Sequence, residues 1–135
     1  MKINTVRPRD SKYLQIVTNI ALPPTKLRYM GVLPECRLPT VAIVGTRKPT
    51  AYGREVTERL AYDLAAKGVV VVSGLALGVD AIAHSAALDA KGLTIAVLPC
   101  GLPQIAPSTN HDIAHRIVDN GGALICEYEA NAPVW

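Results

Sequence analysis

Four runs of consecutive apolar residues are spread along the chain: Thr40 to Val44, Val69 to Val72, Leu93 to Leu98 and Ala123 to Glu127. Each predicts a strand, and the first two, Val41 to Val44 and Val69 to Val72, have no alternation and so predict strands buried on both faces of a sheet. Helical patterns lie between them. After Pro49, Thr50 is suited to cap a helix that runs to Lys67, with Val56, Leu60 and Leu64 on one stripe and Ala61 and Ala65 beside it. Gly68 follows and ends it. A second helix, Val79 to Ala90, carries Ala81, Ala83, Ala86 and Ala87, small enough to approach the sheet closely. A third spans Asn110 to Asp119, with Thr109 as cap and Asp112 completing a capping box. Strands alternating with helices across short connections predict an α/β fold with parallel strands and right-handed crossovers.

The first third is less regular. Residues 1–12 are polar and basic and read as a frayed end. Tyr13 to Ile20 fits a helical or an extended segment equally, and Pro23-Pro24 interrupts it. Leu27 to Leu33 reads as a short strand or turn ending near Gly31. These features divide the chain into a basic arm or connector, 1–39, laid against an α/β domain, 40–135.

Composition sharpens this picture in three ways. There is no Phe and mean hydropathy is +0.24, so the core must be built from Val, Ile, Leu and Ala. Through Lys48 the chain holds nine Lys/Arg against two acids, and beyond it five against nine. Such asymmetry points to a polyanionic partner for the first third, or to a solvated basic tail. Cys36, Cys100 and Cys126 are odd in number and widely spaced, which indicates neither a zinc knuckle nor a disulfide framework and fits a reducing cytoplasm. No apolar run approaches membrane-spanning length.

Candidate chemistry collects where strands end. In α/β sheets ligands bind beyond the carboxyl ends of the strands. Three such ends are Gly45-Thr46-Arg47-Lys48, Ser73 to Asp80, and Pro99-Cys100-Gly101. Glycines let backbone N–H groups reach an oxyanion, and a helix N-terminus after Gly78 adds positive potential. Thr46 and Ser73 offer hydroxyl donors, Arg47 a fork for phosphate, Lys48 a mobile charge. The plain alternative is that these glycines only make strand-to-helix turns. Neither G-x-G-x-x-G after the first strand nor G-x-x-x-x-G-K-[ST] occurs, which argues against dinucleotide and P-loop sites and leaves no cofactor assigned. Ser73, Asp80 and His84 suggest a hydrolase relay, but G-x-S-x-G is missing; Asp80 is better suited to tying down the glycine turn. His111 and His115, four apart, lack a third metal ligand. Cys100 reads as a small residue filling a tight turn, in preference to a reactive thiol.

At these residues the sequence resembles the DprA/Smf family of bacterial DNA-processing proteins. The matching stretches are Val41 to Arg47 with Tyr52-Gly53, Ser73 to Asp80 with Ala83-His84, and Ile95 to Leu98 with Cys100-Gly101-Leu102. Pro107-Ser108-Thr109-Asn110 and Gly121 to Ile125 with Glu127-Tyr128 complete the set. The resemblance implies a Rossmann-like three-layer domain, mostly parallel, with helices on both faces. It also implies a cytoplasmic protein that binds single-stranded DNA in natural transformation and delivers it to the RecA recombinase. A homodimer, no catalytic residue and no membrane are further implications. Arg47 corresponds to the family's DNA-contacting arginine, and Gly45, Ser73, Gly74 and Gly78 to its backbone cradle. Thr46 and Lys48 are added from their position, with Tyr52, Asp80, Cys100, Gly101 and Asn110 in support. Leu77 stands where many relatives carry a cation, and Pro99 where they carry glycine. The family's later Arg-Asn-Arg segment has no counterpart, so the C-terminal part of its domain is expected to be missing. The competing reading is a Rossmann-like nucleotide sensor or nucleoside-phosphate hydrolase; the P-G-G-x-G-T-x-x-E motif of the related hydrolases is absent.

Overall fold

Residues 2–134 are described by a computed structural model, Met1 and Trp135 lying outside it. Six strands form one sheet: Asn4–Val6 (β1), Leu27–Gly31 (β2), Thr40–Ala42 (β3), Val70–Ser73 (β4), Thr94–Val97 (β5) and Ala123–Cys126 (β6). Their spatial order is β1-β2-β6-β5-β4-β3. β3 to β6 run parallel to one another, in registers such as Val41 opposite Val71 and Ala96 opposite Leu124. β1 and β2 are antiparallel additions, β2 pairing with β6.

The three α-helices, Ala51–Ala66 (α1), Val79–Asp89 (α2) and His111–Asp119 (α3), connect the parallel strands. Each crossover steps the same way along the sheet, from β3 to β4 to β5 to β6. Right-handed crossovers that never reverse direction place their helices on one face. Accordingly α1 packs on α2 and α2 on α3. The period-two pleat then sorts the apolar runs. Val71, Ala96 and Leu124 point to the α-helices, while Val70, Ile95, Ala123 and Ile125 point the other way. That second face is closed by the N-terminal arm. Its 3-10 turns, Pro8–Asp10 and Gln15–Asn19, flank the buried Tyr13 and Leu14. The fold is thus a three-layer α/β sandwich in which the second helical layer is 3-10.

Four expectations change in detail. Residues 4–6 are not frayed: they pair with β2 at the sheet's edge, which needs only one neighbouring strand. The run 40–44 is not buried on both faces, because β3 is the opposite edge strand; Val44 is 70% exposed. On α1 the buried residues are Thr57, Ala61 and Ala65, whereas Leu60 and Val56 are 49% and 42% exposed. The reason is its neighbour. The alanine face of α2 (Ala83, Ala86, Ala87) accepts the small side chains of α1 at close range, and this turns the bulkier stripe outward. Finally, Thr109 lies in a 3-10 turn, Ser108–Asn110, so Asn110 occupies the cap position of α3 and makes no side-chain cap bond.

Candidate nucleic-acid interface

Thr50 caps α1 as the sequence indicates, its Oγ1 accepting the Gly53 N–H at 3.0 Å. This fixes where the turn after β3 must end. Within that turn the Thr46 hydroxyl accepts the Lys48 N–H at 3.1 Å, a local bond typical of threonine in turns. Gly45, Thr46, Arg47 and Lys48 are all exposed. Neither Arg47 nor Lys48 enters any ion pair among the described residues; the four pairs found are Arg7–Asp10, Arg28–Glu129, Arg59–Glu55 and Arg116–Asp89. Two adjacent cations therefore stand at the sheet's carboxyl rim without a carboxylate. Tyr52, in the first turn of α1, is 76% exposed.

The turn after β4 is built differently. Its Ser73 hydroxyl donates to Ile43 O at 2.6 Å, tying β4 to the end of β3. The Gly74 N–H donates to Asp80 Oδ2 at 3.0 Å. Leu75 has φ of 62°, a left-handed conformation that strains a residue with a Cβ. It is held there from two sides. Its N–H donates to His84 Nε2 at 3.3 Å, and its carbonyl accepts from Asn110 Nδ2 at 2.8 Å. Its side chain is fully buried. That burial contributes about 2 kcal/mol, and two retained hydrogen bonds about 1 kcal/mol each. Together they exceed a strain of about 1–3 kcal/mol.

The protonation of His84 follows from its partners. Thr94 Oγ1 donates its only proton to Val71 O at 2.7 Å, so at 2.7 Å from His84 Nδ1 it can only accept. Nδ1 then carries the imidazole proton, and Nε2 is free to accept from Leu75. Burial pushes the His84 pKa down to about 4, keeping the ring neutral. Ser73, Asp80 and His84 consequently form no relay, since each is engaged with a different backbone group.

The two turns are in contact. Val79 N–H donates to Thr46 O at 3.1 Å. A Cβ on Gly78, whose φ is +81°, would collide with Thr46 O and the Arg47 carbonyl. A Cβ on Gly45 would lie 3.0–3.1 Å from the Val79 side chain, a tight but lesser contact. Among the described residues, no protein acceptor takes the N–H of Arg47, Ala76, Leu77 or Gly78.

The sequence-derived residues thus separate. Gly45, Thr46, Arg47, Lys48 and Gly78 come together at the rim, while Tyr52 is exposed on α1 and lines a hollow with Glu55, Val56, Arg59, Leu60 and Asp63. Ser73 and Gly74 do not present donors there, since both are bonded within the fold; with Asp80 and Asn110 they hold the turn's shape. Cys100 and Gly101 belong elsewhere. Gly101 N–H donates to Ala132 O at 2.9 Å, and Cys100 is buried, its thiol donating to Gln104 O at 3.4 Å. Burial, then the neighbouring Cys126, pushes the Cys100 thiol pKa up, which makes it unreactive. Leu75, Thr94 and His84's part in the clamp escaped the sequence reading. A leucine in a left-handed conformation carries no sequence signal. The pairing of His84 with Thr94 depends on contact between a helix and a strand.

Comparison with known proteins identifies the family and the fold. The family model for DNA recombination-mediator protein A matches residues 4–134, so the chain belongs to that family. Protein Smf of Synechocystis is 40% identical over 125 residues, covering 90% of this chain and 31% of the relative. DNA processing protein DprA of Bacillus subtilis is 40% identical over 118 residues, 85% of this chain and 39% of its own. The chain thus spans roughly a third of the length of these curated relatives. Among solved structures, DNA processing protein A of Helicobacter pylori, described for its single-stranded DNA binding mode, superposes with a TM-score of 0.80 at 36% identity. That match covers 99% of this chain and 59% of the other. The DprA of Streptococcus pneumoniae gives a TM-score of 0.84 at 32% identity over 98% of this chain and 46% of its own.

Proposed function

We propose that this chain binds single-stranded DNA, with phosphates docking at Arg47, Lys48 and the amides of the two contacting turns. The observation that carries this reading is the pair of exposed, unpartnered cations at the carboxyl rim of the parallel strands. Membership of a recombination-mediator family, and a structural neighbour known for binding single-stranded DNA, support it. Tyr52, exposed in the first turn of α1, would stack on a base. Delivery of the strand to RecA, action as a homodimer and a cytoplasmic setting complete the proposal and rest on the family. The proposed role is binding, and the hydroxyl, carboxylate and imidazole nearest the rim are engaged in building the turn.

The test is fluorescence anisotropy with a labelled oligonucleotide against salt, for the wild type and Arg47→Ala. Each phosphate neutralised contributes about 0.7 to the slope of log affinity against log salt for a single strand. The variant is expected to bind several-fold more weakly with a slope smaller by about that amount. Equal affinity and slope in both proteins would overturn the reading. A thermal shift with mononucleotides but none with oligonucleotides would favour a nucleotide sensor instead.

A further inference from the structure

The N-terminal arm carries a second basic site. Buried Tyr13 and Leu14 anchor it to the sheet face opposite the α-helices, and the Tyr13 hydroxyl is 2.8 Å from Thr40 Oγ1 at the start of β3. On this fixed platform Arg9, Lys12 and Arg37 line one hollow of about 530 Å³, together with Gln15, Ile16, Thr18 and Asn19. No acidic side chain lines it. The neighbouring acid, Asp10, is paired with Arg7 at 2.8 Å.

The side chains here are ordered by contacts of their own. Arg37 donates to Tyr13 O at 3.0 Å and lies 5.2 Å from the centre of the Tyr13 ring. Gln15 is fixed by donating to Arg9 O at 3.1 Å. Three cations around one concavity repel one another, and a cleft lined by one sign of charge concentrates the potential felt by a counter-ion. Two guanidinium groups, an ammonium and neutral amides suit phosphodiester oxygens. Ile16, half exposed in the same lining, offers an apolar surface to a base.

We infer that this hollow is a second phosphate-backbone site, engaging the strand that docks at the rim. It rests on the proposed DNA-binding reading and extends it. The two sites lie at opposite ends of one edge strand. The hollow adjoins Thr40 through Tyr13, and Arg47 follows β3's carboxyl end. The stretch from Thr40 to Arg47, a short strand followed by the turn, spans at most about 23 Å. A short oligonucleotide therefore reaches one site, while a longer strand spans both.

The experiment is anisotropy with oligothymidylates of increasing length for wild type, Arg47→Ala and the double variant Arg9→Glu/Lys12→Glu. Both reversed residues are exposed, and an unchanged melting temperature checks that the arm stays folded. The double variant is expected to bind long strands several-fold more weakly, with a salt slope smaller by about 1.4, and to lose the gain in affinity with length. Arg47→Ala is expected to weaken short and long strands alike. Wild-type behaviour of the double variant at every length, with Arg47→Ala still impaired, overturns the second site and leaves the rim reading standing. No binding of any oligonucleotide by the wild type overturns both. Loss of binding to phosphatidylserine vesicles with oligonucleotide affinity unchanged would also overturn it, marking the hollow as a lipid-surface site.

Discussion

The two turns at the sheet's rim have similar ingredients and opposite designs. Residues 45–48, after β3, leave their cations exposed and make one local side-chain bond. Residues 73–78, after β4, have their serine hydroxyl and two of their amides bonded within the fold, and one leucine in a left-handed conformation. The difference follows from position. β3 is an edge strand, so the turn leaving it has little around it and stays available to a ligand. β4 lies between β3 and β5. The turn leaving it is surrounded by α2, β5 and the turn before α3, and its polar groups must find partners there. One turn supplies charge; the other supplies the shape against which that charge is held.

The most direct way to break the comparison is to force the turns apart. Gly78→Val places a branched side chain at φ +81° and into the Thr46–Arg47 backbone. Strain of about 1–3 kcal/mol adds to an overlap of about 1–3 kcal/mol. A loss of about 4 kcal/mol in urea denaturation is expected, and a loss under 1 kcal/mol would show the contact to be loose.

Acid should act on the clamp through His84. The unfolded chain takes up a proton at His84 below its ordinary value of 6.5, whereas the folded chain does so only near 4. Between those values the unfolded state binds more protons, so stability falls as pH drops through the window and is flat above it. At 1.36 kcal/mol per pH unit the full loss is about 3 kcal/mol. Denaturation midpoints measured across this range should show it, and His84→Gln should flatten the slope. An unchanged slope in that variant would mean that other groups carry the acid sensitivity.

A smaller effect sharpens the comparison from the other direction. Leu77 is exposed on the shape-giving turn. Leu77→Lys adds a charge there without disturbing the clamp. It is expected to raise oligonucleotide affinity about threefold, in line with one added phosphate contact, and to leave stability within about 0.5 kcal/mol. Unchanged affinity would place Leu77 outside the strand's path.

Much of the fold was legible because glycine and valine mark it plainly. Val69 to Val72, Gly68 and Gly121-Gly122 set element ends to within a residue or two. Sheet order was not legible. An unbroken apolar run reads the same at an edge as at the centre, so the pattern predicts a buried Val44 where the structure exposes it. Nor was the face of α1: Val56 and Leu60 form the better apolar stripe, but the alanines of α2 select Ala61 and Ala65. The exposed placement of Arg47 and Lys48 past the end of β3 was legible from charge and position alone. The roles of Ser73 and Gly74 could not, because residues able to donate to a ligand look the same as residues donating to the fold.

The division of labour between the turns is tested most directly by one paired measurement. Oligonucleotide affinity and unfolding free energy are determined for Arg47→Ala and Ser73→Ala. Arg47→Ala should lower affinity several-fold with stability unchanged within about 0.5 kcal/mol. Ser73→Ala, by orphaning Ile43 O, should lower stability by about 1–2 kcal/mol and leave the salt slope of binding intact. If removing the serine reduces that slope, or removing the arginine leaves affinity where it was, the assignment of charge to one turn and shape to the other is wrong.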